Sequence, residues 1–186
     1  KAYPVEIIGY HHQVTDSIGG EPVMVTYCTV CRTGRVFSPF VNGKLEKFRL
    51  VGMDQFNAMF EDAETKSWWR QATGIAVAGQ LKGTALKEIE SEQLTLGAWI
   101  RKYPNTTILQ PDPVFADQYK GLQGFDDGTI QSGLEKRDSA SWQFKSWVIG
   151  VQKDGHAKAY DWNELVKQQV INDTFQNTAL VLVSEN

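Results

Sequence analysis

The two ends of the chain repeat each other. Lys1-Ala2-Tyr3 returns as Lys158-Ala159-Tyr160, and at the same offset of 157 the stretch Val14-Thr15-Asp16-Ser17-Ile18 returns as Ile171-Asn172-Asp173-Thr174-Phe175. Val23-Met24-Val25-Thr26 then matches Leu180-Val181-Leu182-Val183. A constant offset held without a gap means two copies of one supersecondary unit, and the fold must accommodate that unit twice.

The C-terminal copy shows the unit complete. Residues 147–152 (WVIGVQ) are apolar and β-branched, Asp154-Gly155 is a hairpin turn signal, and 156–160 (HAKAY) alternate, so strand, turn and strand are expected. Asp161 then caps a short helix over 162–169 with Trp162, Leu165 and Val166 on one face, and the chain is extended again from Ile171. The N-terminal copy opens at Lys1, inside the second strand of its hairpin. The missing first strand leads us to expect further residues upstream in the natural protein.

Between the copies the pattern is β-rich. Residues 35–40 and 45–50 flank Asn42-Gly43, a dipeptide suited to the positive φ of a tight hairpin turn. Short strands are expected at 67–71, 75–78 and 85–89, and a helix at 94–103 ends before Pro104. Residues 110–138, with scattered Gly, Asp and Pro, read as a long surface excursion with a helical turn near 114–119. The expected fold class is α+β: an antiparallel-strand-rich single domain over 1–186 with two related terminal β-hairpin-helix-strand units, 1–28 echoing 158–185.

Several function classes fall away. Nineteen basic and twenty-two acidic side chains give a net charge of -3, and no Lys/Arg block interrupts the mixture, so nucleic acid is not an expected partner. No apolar run is long enough to form a transmembrane segment. No G-x-G-x-x-G opens a helix after a strand, and there is no Walker loop or G-x-S-x-G elbow, so no nucleotide cofactor and no serine hydrolase are expected.

The copies themselves point to the chemistry. Asp16 and Asp173 stand at the same place in both, which argues for a structural turn or cap carboxylate. By contrast His11 and His12 face Gln168 and Gln169, Cys28 faces Glu185, and Cys31 lies beyond the copy. Sulfur and imidazole are confined to one half, and a ten-residue loop at 13–22 can return the histidines toward the Cys-x-x-Cys pair. Three readings follow. A soft metal ion, copper or zinc, would take Cys28, Cys31, His11 and His12, with Met53 as a weak extra ligand. Metal-free thiol chemistry would use Cys28 as nucleophile or half of a reversible disulfide, activated by Arg32, Arg35 or a histidine. A non-catalytic module would bind a small molecule or protein partner, with the cysteines forming an inert bridge or simply buried, and with Trp68, Trp69, Trp99, Trp142, Trp147 and Trp162 lining a pocket or, as is commoner at such spacings, packed in the core. The acidic run Glu61-Asp62-Ala63-Glu64 reads as a solvated loop, and His156 as an exposed strand residue.

An ordered series of short motifs resembles a known family. Tyr3-Pro4, His11, Asp16, Thr26-Tyr27-Cys28-x-x-Cys31 with Phe37, Thr65-x-Ser67-x-Trp69-x-Gln71, Gly74 with Ala76, Ala78-Gly79, Leu81-x-Gly83, Thr95-x-x-x-Trp99 and Pro104-x-Thr106 resemble the bacterial domain of unknown function 3179. The likeness runs through almost the whole chain. It departs between the cysteines, where the family commonly has Pro-Leu and this chain has Thr29-Val30. The resemblance implies an exported protein, periplasmic or extracellular, with no agreed activity. That location favours copper over zinc, and the resemblance adds Trp69 and Gln71 as walls of the site.

Overall fold

Pro4, at φ -57° and ψ 135°, leads the chain into α1 (Val5–His11). His12 then adopts a left-handed conformation at φ 59° and its N–H closes the helix on the Ile8 carbonyl, which turns the backbone into β1 (Gln13–Ile18). Gly19 and Gly20, both at positive φ, return it along β2 (Glu21–Cys28), with Gln13 opposite Thr26 and Ile18 opposite Glu21. The segment expected as a ten-residue loop is therefore a hairpin. Its Val, Thr and Ile residues suit a strand, and the Gly-Gly pair is its turn.

The computed structural model describes residues 1–125 and 137–184, and the chain divides into two compact units, Lys1–Ile130 and Gln131–Asn186. The middle of the excursion expected over 110–138 lies outside the described residues, as does Glu185. In the first unit β2 continues into β3 (Thr33–Phe37), β4 (Phe40–Val41), β5 (Lys44–Leu45), β6 (Phe48–Asp54), β7 (Asn57–Asp62), β8 (Trp68–Arg70), β9 (Ala76–Ala78) and β10 (Glu88–Ile89). Asn42 and Gly43 lie at φ 51° and 77°, so the two-residue turn between β4 and β5 has the positive φ values its sequence asked for. The expected strand over 35–40 stops at Phe37, because Pro39 follows.

The strands form two four-stranded antiparallel sheets, β1-β2-β3-β10 and β6-β7-β8-β9. β2 is buried on both faces. It sends Met24 into a cluster with Phe37, Val41, Trp69, Ala76 and Leu86, and Val23, Val25 and Tyr27 into another with Ile8 and Phe125. This is why Val23-Met24-Val25 run apolar in succession instead of alternating. Each such side chain is worth about 1.5–3 kcal/mol of transfer free energy. Beyond the sheets, α2 (Leu96–Lys102) is capped by the Thr95 hydroxyl, which accepts from Ala98 N at 3.2 Å, and a 3-10 turn over Pro113–Phe115 runs into α3 (Ala116–Lys120).

The second unit contains β11 (Val148–Lys153), β12 (His156–Asp161), α4 (Trp162–Gln168), β13 (Val170–Phe175) and β14 (Thr178–Val183). Its turn, Asp154-Gly155, again has positive φ at both residues, and His156 is exposed. The two units share local geometry in detail. Val170 opposes Val183 as Gln13 opposes Thr26, and Gln169 is left-handed at φ 62° as His12 is at 59°. The Gln169 carbonyl accepts from Ser184 N at 2.9 Å as the His12 carbonyl accepts from Tyr27 N at 2.9 Å.

The repeated aspartates are structural and bond a nearby backbone N–H as expected, but they stand in strands and not in turns or at helix starts. Both sit in mid-strand, where Asp16 accepts from Lys1 at 2.5 Å and Tyr3 at 2.9 Å, and Asp173 from Lys158 and, at 2.7 Å, Tyr160. The other oxygen of each caps the next backbone N–H, Ser17 or Thr174, at 2.7 Å. Lys158 first, then Tyr160, pull the Asp173 carboxyl down to about 2, while burial and then Asp16 push the Tyr3 hydroxyl well above its ordinary range. The copies differ in cover. Met24 is 1% exposed, whereas Val181, its counterpart, is 62% exposed on a two-stranded sheet.

Candidate disulfide site

The Cys-x-x-Cys segment is the turn between β2 and β3. Cys28 closes β2 opposite Thr33, the first residue of β3, and the turn needs Arg32 at φ 50° to re-enter the sheet. Cys28 and Cys31 are joined in a disulfide, with 5.5 Å between their Cα atoms. Inside the turn the Cys31 N–H donates to Cys28 Sγ at 3.3 Å and the Thr33 hydroxyl donates to the Cys31 carbonyl at 2.9 Å.

The two sulfurs have different surroundings. Cys28 is 2% exposed and packs with Ala58 and Phe60, and its Sγ lies 3.4 Å from the Phe56 carbonyl oxygen. Cys31 is only half-buried. The arginines expected to activate Cys28 make contacts of their own. Arg35 pairs with Glu88 at 2.6 Å, and the Arg32 guanidinium lies 4.1 Å from the centre of the Phe125 ring and donates to the Phe125 carbonyl.

Gln71 is the polar residue that braces this turn. Almost fully buried, it donates through Nε2 to Thr26 Oγ1 at 3.1 Å and to the Thr33 carbonyl at 2.9 Å, tying β2 to β3 just behind the disulfide. Its Oε1 has no hydrogen-bond partner among the described residues. Trp69, expected as a second wall, is a core residue: its ring packs with Met24, Phe37 and Ala76, and its indole N–H donates to Asp62 Oδ2 at 2.9 Å.

Asp62 overturns the solvated-loop expectation for the first half of the acidic run, while Ala63 and Glu64 are exposed as expected. Asp62 is 0% exposed at the end of β7 and accepts from Thr65 N at 2.5 Å, Thr65 Oγ1 at 2.7 Å, Ser67 N at 3.1 Å and Trp69 Nε1. Burial pushes its pKa up, but the bonds from Trp69, Thr65 and the Thr65 and Ser67 N–H groups outweigh burial and hold the carboxyl below its ordinary range. Glu61 beside it is also buried, accepting from Arg49 at 2.6 Å and Trp68 at 3.1 Å. The Asp-x-x-Thr-x-Ser spacing of 62–67, an Asx-type turn signature, was the sequence signal for this hub.

The histidines go elsewhere. His11 Nε2 is 2.8 Å from the Tyr119 hydroxyl, and its ring meets Tyr10 and Phe115 edge-on at 4.9 and 5.0 Å. His12 ends α1 and its Nδ1 is buried without a hydrogen-bond partner among the described residues. Met53 lies exposed on β6. Among the described residues no group of three or more His, Cys, Asp or Glu side chains is arranged to hold a metal ion. Of the tryptophans, Trp69 is buried, whereas Trp68, Trp142 and Trp162 are exposed, so they do not form a common core.

The order of motifs that carries this arrangement, from Tyr3 through the disulfide turn to Trp99, is matched over residues 1–186 by the family described as Protein of unknown function (DUF3179). The chain belongs to this family. No curated protein and no solved structure matches it. The DUF3179 family description names no activity. Among the described residues no helix is long and apolar enough to cross a membrane.

Proposed function

We propose that this DUF3179 member is an exported bacterial thiol–disulfide protein whose Cys28–Cys31 bond opens and recloses by exchange with a thiol-bearing small molecule or protein. The observation that carries the reading is the disulfide itself, closed across two residues at an exposed-to-buried boundary with a backbone N–H directed at one sulfur. Such a short loop contributes little loop-closure entropy, so stapling a chain of this size is a weak reason for the bond to be there. A brace such as Gln71 holds the surrounding strands in place when the bond is open. The test is equilibration of the folded protein in glutathione or dithiothreitol buffers, with intact mass and circular dichroism read together. A reversible two-electron transition above about -300 mV, with the fold retained, supports exchange. A bond that opens only when the protein unfolds refutes it.

A second reading is favoured by one observation. The unpartnered Nδ1 belongs to His12, whose carbonyl is bonded to the N–H of Tyr27, next to Cys28. Reduction would supply two thiolates on one turn, and the His12 imidazole would have to move to join them in a donor set suited to copper or, less well, zinc. Reduced protein would then take up about one equivalent of Cu(I) or Zn(II). Uptake unaffected by Cys28→Ser removes this reading.

A further inference from the structure

We infer that Cys31, not Cys28, is the sulfur that meets the partner thiol, and that Cys28 is the buried leaving group; this rests on the exchange reading above. Thiol attack on a disulfide proceeds in line, from the side opposite the departing sulfur. An attack on Cys28 would have to come through Ala58, Phe60 and Phe48, which pack around it and leave it 2% exposed. Attack on Cys31 comes from its half-open side, with the bond pointing inward to the sulfur that leaves.

The surroundings of Cys28 suit a leaving sulfur. When a partner thiolate bonds to Cys31 Sγ, the S–S bond breaks and its electron pair goes to Cys28 Sγ. The Cys31 N–H, already 3.3 Å from that atom, faces the charge as it forms. An apolar pocket disfavours a lasting thiolate, so Cys28 takes up a proton released by the partner's second thiol. The resulting S–H has an acceptor waiting in the Phe56 carbonyl at 3.4 Å. That second partner sulfur, now a thiolate, attacks the partner sulfur of the mixed disulfide and releases Cys31 as a thiolate, which takes a proton from water. In total a partner dithiol becomes a disulfide and the Cys28–Cys31 bond becomes two thiols, two electrons and two protons having moved.

This polarity follows from the fold. In Cys-x-x-Cys sites where the first cysteine opens a helix, the helix N-terminus lowers that cysteine's pKa and makes it the reactive one. Here the first cysteine ends a buried strand and the second stands on the turn, so the roles exchange.

The test uses fully reduced, folded protein and a limiting amount of N-ethylmaleimide, with the modified peptide identified by mass. Cys31 is expected to react at least about tenfold faster than Cys28. In addition, Cys28→Ser with oxidised glutathione should accumulate a mixed disulfide on Cys31, whereas Cys31→Ser should yield little adduct until denaturant is added. Labelling of Cys28 first, or at an equal rate, overturns the assignment, as does equal trapping in the two variants. If Cys28→Ser does not fold, the labelling order in the unaltered chain decides. Failure of the bond to cycle is read separately, in the redox titration, and removes the exchange reading together with this one; a Cys28-first order in a protein that cycles removes only the polarity.

Discussion

Replacing Asp62 by alanine removes one carboxylate and strands several donors at once. The carboxylate accepts four hydrogen bonds while wholly shielded from solvent, from Thr65 N, Thr65 Oγ1, Ser67 N and Trp69 Nε1. Two of the four donors retain alternatives: Thr65 Oγ1 still reaches Ser67 Oγ at 2.7 Å, and Ser67 N still reaches Thr65 Oγ1 at 3.3 Å. The Trp69 indole and the Thr65 N–H lose theirs. Leaving a buried donor unpaired costs about 1–3 kcal/mol each, and losing charged acceptors raises the total to about 3–5 kcal/mol. For a chain of this length that lowers Tm by roughly 6–20 °C. The cost also depends on pH in a definite direction. Because the folded-state pKa is depressed, the ionised carboxylate contributes fully above the ordinary carboxylate range of about 4 and its contribution is lost as pH falls through the lower folded value. Urea unfolding followed by tryptophan fluorescence, for the unaltered chain and for Asp62→Ala and Asp62→Asn, measures both effects. The gap between aspartate and asparagine should be full at pH 7 and shrink toward pH 2. A loss under about 1 kcal/mol for alanine, or a gap that does not change with acid, would refute the account of a buried, ionised hub.

Other substitutions probe other parts of the structure. Gly79→Ala places a Cβ 2.6 Å from Ser67 Cα at φ +90°, so unfolding by urea should show a loss above about 2 kcal/mol, whereas Gly43→Ala, also at positive φ but with open space, should cost only about 1 kcal/mol. Lys158→Ala should let the Asp173 carboxyl rise from about 2 toward its ordinary value, and Tyr160→Phe should do so by less, as read by NMR titration of the side-chain carboxyl. Gln71→Leu removes both side-chain bonds through which Gln71 reinforces the β2–β3 ladder and should cost about 1–3 kcal/mol, with faster amide exchange along Thr33–Phe37 as its local signature.

Much of the fold was legible because the decisive signals are local. Asn42-Gly43 and Asp154-Gly155 announce their turns, Asp161 announces a helix start, and the offset of 157 predicts a shared unit whose strand registers prove identical, whereas the helix expected from 94 begins at Leu96 because Thr95 caps it. The misreadings came from contacts that a local pattern does not contain. Asp62 looked like one member of a solvated acidic run, because nothing in the run says that Trp69 will return its indole N–H to that carboxylate. His11 looked like a partner for sulfur, yet its partner Tyr119 lies 108 residues away on a helix that the sequence marks only weakly. That the two cysteines lie close together was legible from their spacing, but which sulfur is more exposed depends on β7 packing against Cys28, a contact between separate sheets.

Identical registers at the two ends also set a problem for the newly made chain. A strand such as β13, in choosing a neighbour, meets in β2 and β14 two candidates spaced alike from the same kind of turn, so wrong partnerships compete with right ones in the interval before collapse completes. The swap differs chiefly in what it strands: Met24 and its neighbours would forfeit Phe37 and Trp69, while Val181, 62% exposed, has far less to lose. Discrimination between the copies therefore resides in the interior of one of them, where each buried side chain that rewards correct pairing is worth about 1.5–3 kcal/mol.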